Sequence, residues 1–390
     1  MKCDAVVLAA GKGTRPWPFT ETVAKPAIEI VDRPLIHYVL DFLRSNGVEK
    51  VCVVVNHQRE TVERAVRDYG IKARFVEQKE PKGTGHALMC AERHVGDDFI
   101  VVNGDLLLTK HVKLPERSMV VVRRPHTGEY GTPIVKNGVV VGLREKEPGD
   151  LVNAGIYRLS DEVFAHLSDL SPSPRGEYEI TDVLPKMGLR AVEMRSEHWM
   201  DVGYPWDILS ATQRVLHAIP ERRDGYIEPR ATLKGKVIVS PDAEIRNGVY
   251  IEGPAYIGPG AVVGPNSYIR PYSVIGRNAR VGNAVEIKAS VLMEGAHVSH
   301  LSYVGDSVLG KGVNFGAGTI TANLRFDDKP VLGVRRKMGA FVGDEVHTGV
   351  HAAFMPGVRV GPNAFIFPGS VVYSDVPSGE RVAGIYRTGA

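Results

Sequence analysis

The chain has 390 residues, 43% of them apolar and 24% charged, the composition of an ordinary globular protein and too long for one core, so two domains are expected. Its 48 basic and 45 acidic side chains leave a net charge of +3 with no pervasive basic stripe, which argues against nucleic acid as a partner. No stretch reaches the roughly eighteen apolar residues of a membrane span, and the opening run Ala5–Ala10 is too short for a secretory signal, so the expectation is no membrane partner and a cytoplasmic protein. Cys3, Cys52 and Cys90 are scattered and read as thiols of a reducing compartment.

Strand and helix patterns alternate through the first half. Asp4–Ala10 reads as a buried strand, and the loop Gly11–Thr14 follows it. Leu35–Ser45 reads as an amphipathic helix, Lys50–Asn56 as a strand, Arg59–Asp68 as a helix, and Arg74–Glu77 and Phe99–Val102 as further strands. The alternation predicts an α/β, Rossmann-like domain with a mixed, mostly parallel sheet. Trp206–His217 reads as its closing helix, stopped by Pro220. The charged, turn-rich Glu221–Arg230 holds the expected boundary, giving domains 1–222 and 223–390.

The second half has another period. Leu233, Val239, Ile245, Ile251, Ile257, Val263, Ile269, Ile275, Val281 and Ile287 fall six apart, and four residues after each comes a Val, Ala or Ser, from Val237 to Val291. A helix wants 3.6 and a strand wants 2; period six predicts a solenoid of short strands with a corner every six residues. The phase returns at Val342, Thr348, Phe354, Val360, Ile366 and Val372. It slips between Met293 and Phe315 and is lost between Asn323 and Ala340, which predicts outward loops there. The pattern resembles the left-handed parallel β-helix of hexapeptide-repeat acyltransferases, and the resemblance alone supplies the handedness.

Chemistry-bearing residues gather in two places. In the first half, Leu8-Ala-Ala-Gly-Lys-Gly-Thr-Arg15 follows the opening strand, where glycines let backbone amides approach a phosphate beyond the strand ends. Ala24-Lys25-Pro26, Gln78, Gly83-Thr84-Gly85, Asn103-Gly104-Asp105, Gly128-Glu-Tyr-Gly131, Glu145-Lys146, Asn153-Ala-Gly155, Glu179-Ile-Thr-Asp182 and Trp199-Met-Asp201-Val-Gly203 come next in order. Taken singly, each has a plain structural reading: an Asp at a strand end is most often a cap. As an ordered set over residues 1–215 they resemble the sugar-1-phosphate nucleotidyltransferases, and the Glu-Ile-Thr-Asp and Trp-Met-Asp-Val-Gly strings look closer to the glucose-1-phosphate thymidylyltransferase branch than to bacterial uridylyltransferases. The resemblance implies that a sugar phosphate attacks the α-phosphorus of UTP or dTTP and releases pyrophosphate. Both reactants are anions, so cations and alignment carry the catalysis. It implies nucleotide contacts from Leu8, Ala10, Gly11, Gly13, Thr14, Gln78, Gly83 and Thr84. Arg15 and Lys25 are implied as the catalytic cations, Asp105 and Asp201 as Mg²⁺ ligands, and Gly131, Glu145, Lys146 and Asn153 as sugar-phosphate contacts. The chain departs from the family at Pro16-Trp17-Pro18, which stiffens the segment after Arg15.

In the second half, Val285-Glu-Ile-Lys288, His300-Leu-Ser-Tyr303-Val-Gly-Asp306 and Asn314-Phe-Gly-Ala-Gly-Thr-Ile-Thr-Ala-Asn323 occupy the slipped region. These strings resemble the acetyltransferase half of the bifunctional enzymes that make UDP-N-acetylglucosamine. Acetyl transfer from a thioester to an amine needs a base, and imidazole suits that work. The resemblance implies His300 as that base, Arg270, Lys288, Tyr303, Asn314 and Asn323 as sugar-phosphate contacts, and acetyl-CoA near Ala340. His297 is the plainer histidine, and Arg335-Arg336-Lys337 takes no assigned role. A homotrimer or higher homo-oligomer is implied by the resemblance only. The expectation is a bifunctional enzyme; the alternatives are a nucleotidyltransferase whose repeats serve assembly or regulation, and a non-catalytic nucleotide-sugar binder.

Overall fold

The computed structural model describes residues 2–173 and 176–387, and the chain divides into two compact units. The first comprises residues up to Gly13, then Val23–Ile28 and Pro34–Asp201. The second comprises Thr14–Thr22, Glu29–Arg33 and the chain from Val202 onward.

The first unit is built on a nine-stranded sheet. In spatial order its strands are Lys72–Glu77, Lys50–Val55, Cys3–Ala9, Val95–Asn103, Gly149–Ser160, Ser118–His126, Arg190–Met194, Val139–Arg144 and Thr132–Lys136. The first four are mutually parallel, and Lys50–Val55 and Cys3–Ala9 among them are the near-continuous apolar runs of strands covered on both faces. Gly149–Ser160 then runs antiparallel to both its neighbours, and the far edge is antiparallel again. The expected "mostly parallel" sheet is thus mixed: beyond the first four strands Arg190–Met194 is again parallel to Ser118–His126, while the other pairings are antiparallel. The alternating outer part was harder to read, because its strands are bounded by charged turns rather than by crossover helices.

Side chains alternate between two cores, one on each face. Ala5, Val7, Val51, Val53 and Val102 pack with Ile36, Val39 and Leu43 of the helix Leu35–Ser45 and with Val62 and Val66 of the helix Arg59–Tyr69. Cys3, Val6, Cys52, Val54 and Val101 face the other way, onto Leu88 of the helix Thr84–Ala91 and Phe164 of the helix Glu162–Ser168. A two-stranded antiparallel ribbon, Leu106–Leu108 with Trp199–Asp201, lies outside the main sheet.

The second unit contains the helix Asp207–Ala218 and three parallel sheets. Consecutive short strands enter the three sheets in turn, and each pairs with the third strand after it until the last coil, where Phe365–Ile366 and Val371–Val372 pair with the second strand after them. The register step is one coil: Ile245 lies beside Val263, and Val263 beside Val281. Of the ten period-six residues all but Leu233 are buried, and the small residues Ala243, Ala255, Ala261, Ser273 and Ala279 are buried with them.

The slip has a local cause. Two corners use five residues instead of six, so Leu292 takes the place of Ile275 and Leu309 the place of Leu292. The slip therefore begins before Val291, which pairs with Val274; Ser290 inherits the small corner position expected of Val291. Ser273, Ser290 and Ser307 each turn their hydroxyls onto backbone carbonyls at successive corners, and Ala340 continues the column by donating its N–H to Ser307 Oγ at 3.0 Å. The aperiodic segment leaves the stack after Thr321 and returns at Phe341, so that Val308 pairs with Phe341 across the excursion. Within it Phe326 is wholly exposed.

Two candidate active sites

In the first unit the sheet and the ribbon bring three charged residues together. Asp105 stands two residues beyond the strand Val95–Asn103, and Asp201 ends the ribbon strand opposite Leu106. Lys25 opens the short turn Lys25–Ala27, whose Pro26 occupies a first-turn position where no N–H is needed. The Lys25 ammonium lies 2.5 Å from Asp105 Oδ2 and 3.0 Å from Asp201 Oδ1, and the side chain is only 8% exposed. Burial opposes its charge, but Asp105 and then Asp201 outweigh that, so its pKa lies above the usual lysine range and it stays protonated. Gly104 allows the approach: its N–H donates to Leu8 O at 2.9 Å, and an added Cβ would meet that oxygen at 3.2 Å.

The neighbouring residues fall into groups. Leu8 and Ala10 are buried at the end of the opening strand, whereas Gly11 is exposed with open space where a side chain would stand. Gly13 adopts φ +61°, the left-handed region that glycine tolerates. Gln78 is buried, with Nε2 at 3.0 Å from both Gly83 O and His86 Nδ1. Gly83, at φ +97°, leaves no room for a Cβ, which would meet Tyr178 O at 2.6 Å. Thr84 Oγ1 accepts from the Ile180 N–H at 3.1 Å, which ties the Gly-Thr-Gly turn to Glu179-Ile-Thr-Asp182.

Gly131, Glu145 and Asn153 meet as well. The Asn153 N–H donates to Gly131 O at 2.9 Å, and Glu145 Oε1 lies 3.0 Å from where a Gly131 Cβ would be. Asn153 Oδ1 accepts from Gly155 N at 3.0 Å and from the fully buried Tyr157 hydroxyl at 2.9 Å. Lys146 is exposed, with φ +54°, and its carbonyl lies against Gly128. Thr14 and Arg15 belong to the second unit, where the exposed Arg15 guanidinium lies 5.3 Å from the Tyr204 ring centroid.

The second site lies on the coils. Tyr268–Ile269, Glu286–Lys288, Tyr303–Gly305 and Ile320–Thr321 are successive rungs of one sheet, with Tyr268, Glu286 and Tyr303 in register. Arg270 donates to Glu286 Oε1 at 2.9 Å. Lys288 Nζ lies 2.6 Å from Asp306 Oδ2, and Asn323 Nδ2 donates to the same oxygen at 2.5 Å and to Tyr303 Oη at 3.1 Å. Burial, then the Asp306 charge, pushes the Tyr303 phenol upward. His300 ends a strand of the adjoining sheet, opposite Asn283 and three residues before Tyr303, and it is exposed.

Arg270, Lys288, Tyr303 and Asn323 are thus gathered on adjacent coils. Asn314 lies instead on the adjoining sheet, in register with His297 and His347. Ala340 is fully buried, with its carbonyl accepting from Val308 N. Burial and then Arg280 lower the pKa of His297. Arg335 donates to Ser210 Oγ at 2.6 Å, and Arg336 pairs with Asp328, so two of the three basic loop residues are engaged within the unit. Sequence reasoning did not single out Asp306, the hub of this cluster. Its signal was its place at a shortened corner, where it adopts φ +50°.

The nucleotidyl transferase family model matches residues 4–218, and the GMPPB C-terminal domain model matches residues 251–363. The bifunctional protein GlmU of Methanococcus maripaludis strain C7 is 42% identical over 98% of this chain and 97% of its own length. The bifunctional sugar-1-phosphate nucleotidylyltransferase/acetyltransferase of Sulfurisphaera tokodaii is 39% identical over 96% and 98%. A glucose-1-phosphate thymidylyltransferase of Streptomyces griseus is 31% identical over 62% of this chain and 74% of its own. With a family model on more than half its residues and relatives aligned end to end, the chain belongs to the nucleotidyl transferase family, in the bifunctional nucleotidylyltransferase/acetyltransferase branch.

Proposed function

We propose that the protein acetylates an amino-sugar 1-phosphate, with glucosamine 1-phosphate as the leading acceptor, and transfers UMP or dTMP to a sugar 1-phosphate with release of pyrophosphate. The names of the aligned relatives support both activities. The observation that carries the bifunctional reading is the Lys288–Asp306–Asn323–Tyr303 network, a half-buried polar cluster that a pure scaffold has no need of.

In nucleotidyl transfer, Arg15 holds the triphosphate and Lys25 stands between the two reacting phosphates, lowering the repulsion between two anions. Asp105 and Asp201 suit Mg²⁺, which takes one or two protein carboxylates and completes its shell with water and phosphate. Among the described residues no group of three or more His, Cys, Asp or Glu side chains is placed to hold a metal ion. Mg²⁺, when bound, neutralises phosphate charge. Gln78, Gly83 and Thr84 face the base, and Gly131, Glu145, Lys146 and Asn153 face the sugar. In acetylation, Arg270, Lys288, Tyr303, Asn314 and Asn323 hold the sugar phosphate. His300 takes the amine proton as the nitrogen attacks the thioester carbonyl and the coenzyme A thiolate leaves. Acetyl-CoA lies along the coils near and beyond Ala340.

The three parallel sheets are read as a left-handed β-helix, with the boundary between the two activities at residues 222 and 223. A homotrimer in the cytoplasm is the assembly and location proposed. No helix among the described residues is long and apolar enough to cross a membrane.

A second reading, nucleotidyltransferase only with the coils serving assembly, draws on the GMPPB C-terminal domain match. Thiol release from acetyl-CoA across several amino-sugar phosphates decides between them. Acceptor-dependent thiol release supports the bifunctional reading, and no release with any acceptor supports the second.

A further inference from the structure

The segment after the glycine-rich turn, Thr14–Thr22, is part of the second unit, and four contacts tie it to the rest of that unit. Arg15 lies over Tyr204, whose ring stacks on Trp206 with centroids 4.8 Å apart and planes 7° from parallel. Trp206 in turn rests edge-on against the fully buried Phe341, 6.2 Å away. Two residues beyond Arg15, Trp17 lies under the Arg359 guanidinium at 5.3 Å. Arg359 is itself immobilised by Asp375, which accepts from its backbone N–H at 2.8 Å and from Nε at 2.9 Å. The Trp17 indole N–H donates to Glu21, which also accepts from Ser378. Thr22 Oγ1 donates to Asp344 Oδ2 at 2.7 Å. Pro16 and Pro18 fix φ on either side of Trp17.

From this we infer that the last coils set the position of Arg15: Trp17, gripped by Arg359, and the Tyr204–Trp206 stack are positioning residues for nucleotidyl transfer although they touch neither reactant. The inference deepens the proposed function and rests on its reading of Arg15 as the triphosphate-holding cation. The physical argument is one of pre-organisation. An exposed arginine on a glycine-rich loop loses several rotatable bonds of freedom each time it engages a phosphate. A ring beneath its guanidinium and a clamped neighbour two residues away remove part of that freedom beforehand. The Pro-Trp-Pro departure from the family pattern then has a purpose: it presents one aromatic ring, with little backbone freedom, to a cation on the coils.

The test uses the full-length protein and two assays on each preparation, pyrophosphate release and acetyl-CoA thiol release. Trp17→Ala is expected to lower kcat/KM for the nucleoside triphosphate about tenfold, with KM for the sugar 1-phosphate and thiol release within about twofold of the unmodified protein. Trp17→Phe, which keeps a ring under Arg359, is expected to recover activity to within about threefold. Tyr204→Leu is expected to act like Trp17→Ala. In an Arg15→Ala background Trp17→Ala should cost no more than about twofold, because its effect passes through Arg15. Equal costs in both backgrounds, a parallel fall in thiol release, or no effect of Trp17→Ala overturns the inference alone. An unmodified protein that releases no pyrophosphate from any nucleoside triphosphate overturns the parent reading and this inference with it.

Discussion

Replacing Lys25 by Met separates two roles proposed for one ammonium. In the folded protein its two bonds hold a carboxylate oxygen of Asp105 and one of Asp201 no more than about 5.5 Å apart. Both carboxylates are less than a third exposed, so an effective dielectric near 20 applies. At that separation two unit negative charges repel by about 3 kcal/mol once the cation between them is gone. A divalent cation relieves that repulsion, so the variant should bind Mg²⁺ on the order of a hundredfold more tightly than the unmodified protein in the absence of nucleotide. Turnover should move the other way. Loss of a preorganised charge beside the reacting phosphates is expected to lower kcat for pyrophosphate release by about two to three orders of magnitude. Isothermal titration with MgCl₂ and a pyrophosphate assay on the same preparation measure both. Unchanged or weaker Mg²⁺ binding would refute the argument that Lys25 neutralises a carboxylate pair. The pH dependence follows from the raised pKa of Lys25. Its stabilisation is complete below the ordinary lysine value of about 10.4 and is lost only as pH rises through the higher folded value. The contribution should therefore be flat from about pH 6 to 9, and a basic limb in activity within that range must come from another group.

Other predictions rest on separate features. His300→Ala should abolish thiol release while pyrophosphate release stays near that of the unmodified protein; loss of both in a folded variant would tie the two activities to one site. Asp306→Ala removes the acceptor shared by Lys288 and Asn323, and should raise KM for the amino-sugar phosphate at least about tenfold, the usual scale for a lost charge-assisted bond. Gly155→Ala sets a Cβ 2.4 Å from Asn103 Nδ2 at φ +71°, and urea titration should show it less stable by about 1–3 kcal/mol. The Cys52 thiol is pushed up to about 12 by burial and then by Cys3, so it should resist iodoacetamide in the native protein at pH 8 and react once the protein is unfolded in urea.

Legibility in the sequence followed the strength of local periodicity. The helix Leu35–Ser45 and the coil residues Val239 to Ile287 were readable because their apolar side chains recur at the period of a helix face or of a coil side, and the structure buries them accordingly. The outer antiparallel strands were less so, since their partners are set by long-range pairing that no local pattern encodes. The five-residue corners were visible as a loss of phase, but their consequence was not. They pass the small corner position from Val291 to Ser290 and put Asp306 in a left-handed turn beside Lys288. In the first site, motif order predicted the charged triad, and the structure adds that Lys25 bridges both carboxylates. The clamp on Trp17 joins residues 342 positions apart in sequence, a separation at which sequence reasoning sees only an unusual Pro-Trp-Pro.

The central claim is that one chain carries two chemically independent transferase sites. The most direct measurement is a single reaction containing glucosamine 1-phosphate, acetyl-CoA, UTP or dTTP and Mg²⁺, with the products identified by mass spectrometry. The account predicts a nucleoside diphosphate N-acetyl sugar from the unmodified protein and only the N-acetylated sugar 1-phosphate from Lys25→Met. Pyrophosphate formed with no acetylated product from any amino-sugar phosphate would contradict it.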